Sequence, residues 1–73
     1  MTDAHLLRYI IRKNGETVDD LAVALGMSRA TLSAKMNNKR EFKQSEVIFI
    51  VRRYKLSLEM CAVVFAGGDL LCG

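Results

Sequence analysis

Few side chains in this chain are equipped for covalent or acid–base chemistry. There is one histidine, His5, and there are two cysteines, Cys61 and Cys72, with no CxxC pair. That set offers no zinc cluster and no Ser/His/Asp nucleophile system. Cys61 reads as a small core residue, and a disulfide to Cys72 is disfavoured in a reducing compartment. Asp19 and Asp20 are paired carboxylates only in sequence, because adjacent helical positions diverge. No GxGxxG or GxxxxGK[ST] loop is present, so a nucleotide-phosphate cradle has no support. The expectation is a protein that is not an enzyme, with no cofactor and no evident small-molecule ligand.

What remains is the chemistry of contact. From Ser28 to Lys43 the chain alternates short polar residues, alanines and bases. The net charge is +3, and it is unevenly placed. Residues 1–27 hold three bases and four acids (−1), residues 28–55 eight bases and two acids (+6), and residues 56–73 two acids (−2). A basic middle between acidic flanks predicts a polyanion as partner.

The elements that must position these residues are helices. With 73 residues, the chain is expected to form one domain, 1–73, with a simple core. The spacing predicts a first helix capped by Asp3 and running to about Lys13, stopped by Asn14-Gly15. Thr17 starts a second helix with a capping-box pattern in which Asp20 replaces glutamate, and Gly26 ends it. Ser28 caps a third helix through Asn37. A fourth is expected from about Gln44 to Tyr54. Its Val47-Ile48-Phe49-Ile50-Val51 run also suits a buried strand, but Tyr54 continues the helical period and Arg52-Arg53 breaks alternation. Lys43 is a weak choice at its cap. Ser57 caps a fifth helix to about Phe65, with Leu58, Cys61, Val64 and Phe65 expected inward. Residues 67–73 form a short tail after Gly67-Gly68.

Residues 17–37 therefore read as helix, tight turn, helix. Ala22, Gly26 and Leu32 stand where two closely crossing helices need a small residue, a left-handed residue and a core residue. With the run from Ser28 to Phe42 and the later Tyr54-Lys55-Leu56-Ser57-Leu58-Glu59, this pattern resembles the Xre/Cro helix-turn-helix family of phage-type repressors. The resemblance covers about residues 4 to 66. It implies an all-α, five-helix, lambda-repressor-like DNA-binding domain. Two positions depart from the family pattern: Asn38 replaces a glycine after the third helix, and Val18 replaces a glutamine that braces phosphate, leaving Thr17 to substitute.

In such motifs the third helix enters the major groove and the second crosses the backbone. The resemblance therefore assigns base reading to Ser28, Arg29, Ala30, Ser33, Ala34 and Asn37. Arg29 is placed to fork onto guanine, and the alanine methyls onto thymine methyls. Phosphate contacts are expected from Thr17, Lys35, Asn38, Lys39, Arg40 and Lys43. Arg52, Arg53 and Lys55 are expected to face away from DNA. One such helix buries little surface, so a homodimer on a palindromic operator is expected. Val63, Phe65, Leu70 and Leu71 are its expected interface. The function implied is a cytoplasmic repressor or Cro-like regulator of phage or prophage type. The same chain also suits the N-terminal domain of a longer repressor. The alternative is the same fold used as a protein-interaction module, an antitoxin or phage adaptor. No apolar run approaches the length of a membrane span, and residues 1–5 lack a signal-peptide start.

Overall fold

A computed structural model describes residues 1–65, and all regular structure in them is helical. Leu70 and Leu71 lie outside the described residues. The helices are α1 (Ala4–Lys13), α2 (Val18–Leu25), α3 (Arg29–Met36), α4 (Gln44–Arg53) and α5 (Leu58–Val64).

Local capping chemistry sets where most of them start. Asp3 Oδ1 accepts the Leu6 N–H at 3.0 Å, and Ser57 Oγ accepts that of Met60 at 3.1 Å. At α2 the capping box is complete. Thr17 Oγ1 accepts the Asp20 N–H at 3.2 Å, and Asp20 Oδ2 accepts the Thr17 N–H at 2.9 Å. Aspartate, shorter than glutamate, still reaches back. α4 is the exception. A lysine side chain accepts no hydrogen bond, so only the reciprocal half of a box forms, from Lys43 N–H to Glu46 Oε1 at 2.8 Å.

The core is one cluster drawn from all five helices. Leu7, Ile10 and Ile11 of α1 pack with Leu21 and Ala22 of α2 and with Leu32 and Met36 of α3. Val47 and Ile50 of α4 and Cys61 and Val64 of α5 complete it. The β-branched run of α4 divides as a helix must. Val47 and Ile50 are buried, while Ile48 and Phe49 keep 39% and 37% of their surface exposed. One residue expected inward is not. Leu58 is 84% exposed, because it is the first residue of α5 and projects ahead of the buried Cys61–Val64 face. Met60 lies on the exposed side of the same helix.

Between α2 and α3 stand only residues 26–28. Gly26 has φ +72°, the left-handed conformation that ends α2. Met27 N–H returns to the Ala22 carbonyl at 3.0 Å, so the chain reverses directly over Ala22, which is buried.

Candidate nucleic-acid interface

The surface of interest is the outer side of α3 and the loop that follows it. Leu32, Lys35 and Met36 are buried, which turns the opposite stripe outward. Ala30 and Asn37 are exposed there, and Ser33 and Ala34 are half-buried beside them. The side chains on this face are short, so a partner can approach the helix closely.

Several polar residues of the stripe are already held. Ser28 Oγ accepts the Thr31 N–H at 3.1 Å and lies 3.0 Å from Thr31 Oγ1. Its hydroxyl thus caps α3 before it does anything else. Asn37 Nδ2 donates to Ser33 Oγ at 3.2 Å. Arg29, at the tip of α3, meets Asp19 of α2 at 3.5 Å, with both side chains more than 60% exposed. A contact that long and that exposed contributes at most about 1 kcal/mol, so Arg29 is available to a stronger acceptor.

Lys35 departs from the expected phosphate role. Its Nζ donates to both carboxylate oxygens of Glu46, at 2.7 and 2.9 Å. Its side chain is only 7% exposed. The reason is positional: Lys35 lies between Leu32 and Met36 on the buried side, and α4 presents a carboxylate opposite it. Burial pushes the Glu46 carboxyl up, but the Lys35 ammonium and the Lys43 N–H outweigh it, so its pKa lies below the ordinary value. The pair ties α3 to the start of α4. Lys43 is not a capping residue type, and neither the bond from its N–H to Glu46 nor the use of the same carboxylate by Lys35 is readable in the sequence.

This pair carries a stability prediction. Glu46→Gln leaves a mostly buried ammonium without its counter-charge and is expected to cost about 2 kcal/mol, read as a lower urea midpoint. The folded-state carboxyl titrates below its unfolded value, so its stabilisation is present above the unfolded pKa. It is lost as pH falls through the folded one. The variant is therefore expected to show a shallower acid limb than the parent. An unchanged midpoint and acid limb would count against the pair.

Asn38 also departs from its expected role. It takes φ +65°, as its place after α3 required. Its amide is engaged on both sides: Oδ1 accepts the Thr2 N–H at 2.7 Å, and Nδ2 donates to the Thr2 carbonyl at 3.1 Å. Asp3 N–H donates to the Val64 carbonyl at 2.7 Å, and Thr2 bridges to Phe65. The start of the chain is thus stitched between the α3 exit loop and the end of α5. Asn38 holds the loop and leaves contact to its neighbours. Lys39, Arg40 and Lys43 are all exposed in that loop. Thr17 is exposed too, although its hydroxyl serves the α2 cap.

Of the expected interface residues, Phe65 is 5% exposed and packs edge-to-face on Phe42, with ring centroids 5.6 Å apart. It is core, because the Thr2 bridge folds the end of α5 inward. Val63 is 55% exposed.

Arg53 Nε donates to Glu16 Oε1 at 3.0 Å, and its Nη2 meets Glu16 Oε2. This contact, and then the Tyr54 hydroxyl, hold the Glu16 carboxyl below its usual range. Burial, then the Glu16 carboxylate, push the Tyr54 hydroxyl up to about 12. The buried hydroxyl oxygen completes no hydrogen bond of full geometry. Arg53 is thereby occupied in joining α4 to the α1–α2 loop.

Among the described residues no group of three His, Cys, Asp or Glu side chains comes together, and no helix is long and apolar enough to cross a membrane. Compared with known proteins, the chain matches no family model, no curated sequence and no solved structure.

Proposed function

We propose that this chain is a sequence-specific double-stranded-DNA-binding regulator, a repressor or Cro-like protein of phage or prophage type. On this reading the five helices form a lambda-repressor-like domain of the Xre/Cro helix-turn-helix family. It acts in the cytoplasm, as a homodimer on a palindromic operator. The observation that carries the reading is the outer side of α3. A stripe of short side chains, Ala30, Ser33, Ala34 and Asn37, runs from Arg29 at its tip to three exposed bases, Lys39, Arg40 and Lys43.

The division of labour follows from chemistry. Small residues let the helix lie deep in a groove, and Arg29 has the fork that matches guanine O6 and N7. Lys39, Arg40 and Lys43 supply charge to phosphates on the flank, which positions α3 without reading sequence. Removing Lys35 from that set lowers the number of phosphate contacts but fixes the helix that does the reading.

The test is retention of labelled genomic fragments over a salt series. Binding is expected to weaken steeply with salt. The variant Lys39→Ala, Arg40→Ala, Lys43→Ala removes three such contacts from each chain of the dimer and is expected to reduce the slope of log affinity against log salt by about 5.4, roughly 0.9 per phosphate contact. Sedimentation of the same sample is expected to read the mass of two chains. A protein that retains no fragment even at low salt would overturn the reading. It would favour a protein partner at the exposed Leu58 and Val63 of α5.

A further inference from the structure

The exit loop of α3 is tied to the end of α5 in two places. One tie is apolar. Phe42 stands in the loop, buried, and packs edge-to-face on Phe65, which follows α5. The other runs through residues 2 and 3. Asn38 Oδ1 accepts the Thr2 N–H, and Asn38 Nδ2 donates to the Thr2 carbonyl. On their other side the same residues meet α5. Asp3 N–H donates to the carbonyl of Val64, the last residue of α5, and Thr2 bridges to Phe65. Residues 2 and 3 thus form a strap with Asn38 at one edge and the end of α5 at the other.

The strap holds a left-handed residue in place. Asn38 takes φ +65°, a conformation that asparagine tolerates and most side chains do not. That conformation sets the turn that follows. It brings the Lys39 and Arg40 N–H groups back to the Ala34 carbonyl, at 2.8 and 3.3 Å. Lys39 and Arg40 therefore leave α3 in a direction fixed by Asn38, and Asn38 is fixed by Thr2. Both polar atoms of the Asn38 amide engage the backbone of one residue, so the pair fixes orientation as well as distance.

We infer that the strap couples the DNA-facing loop to the end of α5, with Asn38 as its positioning residue. The inference rests on the DNA-binding reading above and deepens it. With the strap closed, Lys39 and Arg40 are ordered before DNA arrives, and binding does not have to order them. By linkage the coupling is reciprocal: DNA on the loop favours closure of the strap onto α5 by the same factor. One neutral hydrogen bond corresponds to about fivefold in an equilibrium constant, which sets the expected size per half-site. The device carries no charge and touches no base, so it acts alike on every sequence.

The experiment takes two readouts from the whole chain. The first is affinity by fluorescence anisotropy, for a genomic fragment retained by the parent and for a random duplex of equal length. Asn38→Gly keeps the left-handed backbone and loses the amide. It is expected to bind both duplexes about fivefold more weakly per half-site, about twenty-five-fold for the dimer. Its salt slope is expected to equal the parent's, because no cation is lost. Thr2→Ala keeps both backbone groups and is expected to bind as the parent does. The second readout is hydrogen exchange at the Asp3 amide, which bonds to α5 and not to the loop. Saturating duplex is expected to slow it about fivefold in the parent and to leave it unchanged in Asn38→Gly. The parent measurement needs no variant, so it decides the matter even if Asn38→Gly melts early. An Asp3 amide that DNA does not slow overturns the inference. So does equal slowing in both proteins, which is cover by the duplex, or an Asn38→Gly protein with the parent's affinity. Each of these leaves the DNA reading standing. A parent protein that binds no duplex overturns both.

Discussion

Replacing Arg29 and Ser33 together by alanine is expected to remove most discrimination between an operator and random duplex while leaving salt-sensitive binding in place. Arg29 is the only long donor on the described α3 face, and its single contact, to Asp19 at 3.5 Å, is exposed and weak. A forked arginine–guanine contact is worth about 1–3 kcal/mol of discrimination, and a further hydroxyl contact about 1 kcal/mol. The double variant should therefore lose about 2–4 kcal/mol of specific binding per half-site. Loss on random duplex should be small, because Lys39, Arg40 and Lys43 are untouched. The measurement is the ratio of operator to random affinity at one salt concentration. A loss of equal size on both duplexes, with the ratio unchanged, would assign Arg29 to phosphate and not to bases. The Ser33 change also frees the Asn37 amide that it holds at 3.2 Å. The two single variants should accordingly not sum to the double.

The largest effect on stability is expected at Leu32. It is 0% exposed and sits on the buried side of α3, in one cluster with Leu21 and Ala22 of α2. Truncation of a buried leucine costs about 2–5 kcal/mol, the transfer term plus the cavity left behind. A domain of this size has roughly 4–11 kcal/mol to lose. Leu32→Ala is thus expected to lower the melting temperature by roughly 8–40 °C, followed by circular dichroism, and to unfold part of the population near the growth temperature of a mesophile. Val23, 80% exposed on α2, is the internal control. Val23→Ala removes no packing and gains helix propensity, so its change should stay within about 0.5 kcal/mol. Comparable losses at both positions would mean that Leu32 is not the seat of α3.

Much of the helical framework is legible in the sequence because its signals act within one turn. Asp3, Thr17, Ser28 and Ser57 each cap the helix that follows through a bond to a residue three places on. Gly26 and Asn38 both adopt the left-handed conformation their places demand. The fourth helix, where a strand was the rival, is decided by periodicity over strand propensity: Val47, Ile50 and Tyr54 are buried on one side. Where the reading of individual faces failed, the cause was distance from a helix interior. Leu58, at the first position of α5, looks inward by spacing but has nothing packed over it.

The candidate site was legible in outline and not in its pairing. Residue types and spacing alone determine five helices, four of them capped by a side chain, a left-handed turn at Gly26 and a basic stretch after a helix of short side chains. They cannot say which charges are free. Lys35 turns inward because Glu46, eleven residues later, meets it across the α3–α4 contact. Asn38 is spent on Thr2, 36 residues away, and Arg53 on Glu16, 37 away. Phe65, expected both inward and at an interface, proves to be core, packed edge-to-face on Phe42. The same pairings leave Arg8, Arg12 and Lys13 without an acidic partner among the described residues, in a segment whose summed charge is negative. Caps and turns are local hydrogen bonds, written in neighbouring residues. Charge neutralisation and burial depend on which side chains meet after the helices pack, and only the tertiary structure decides that.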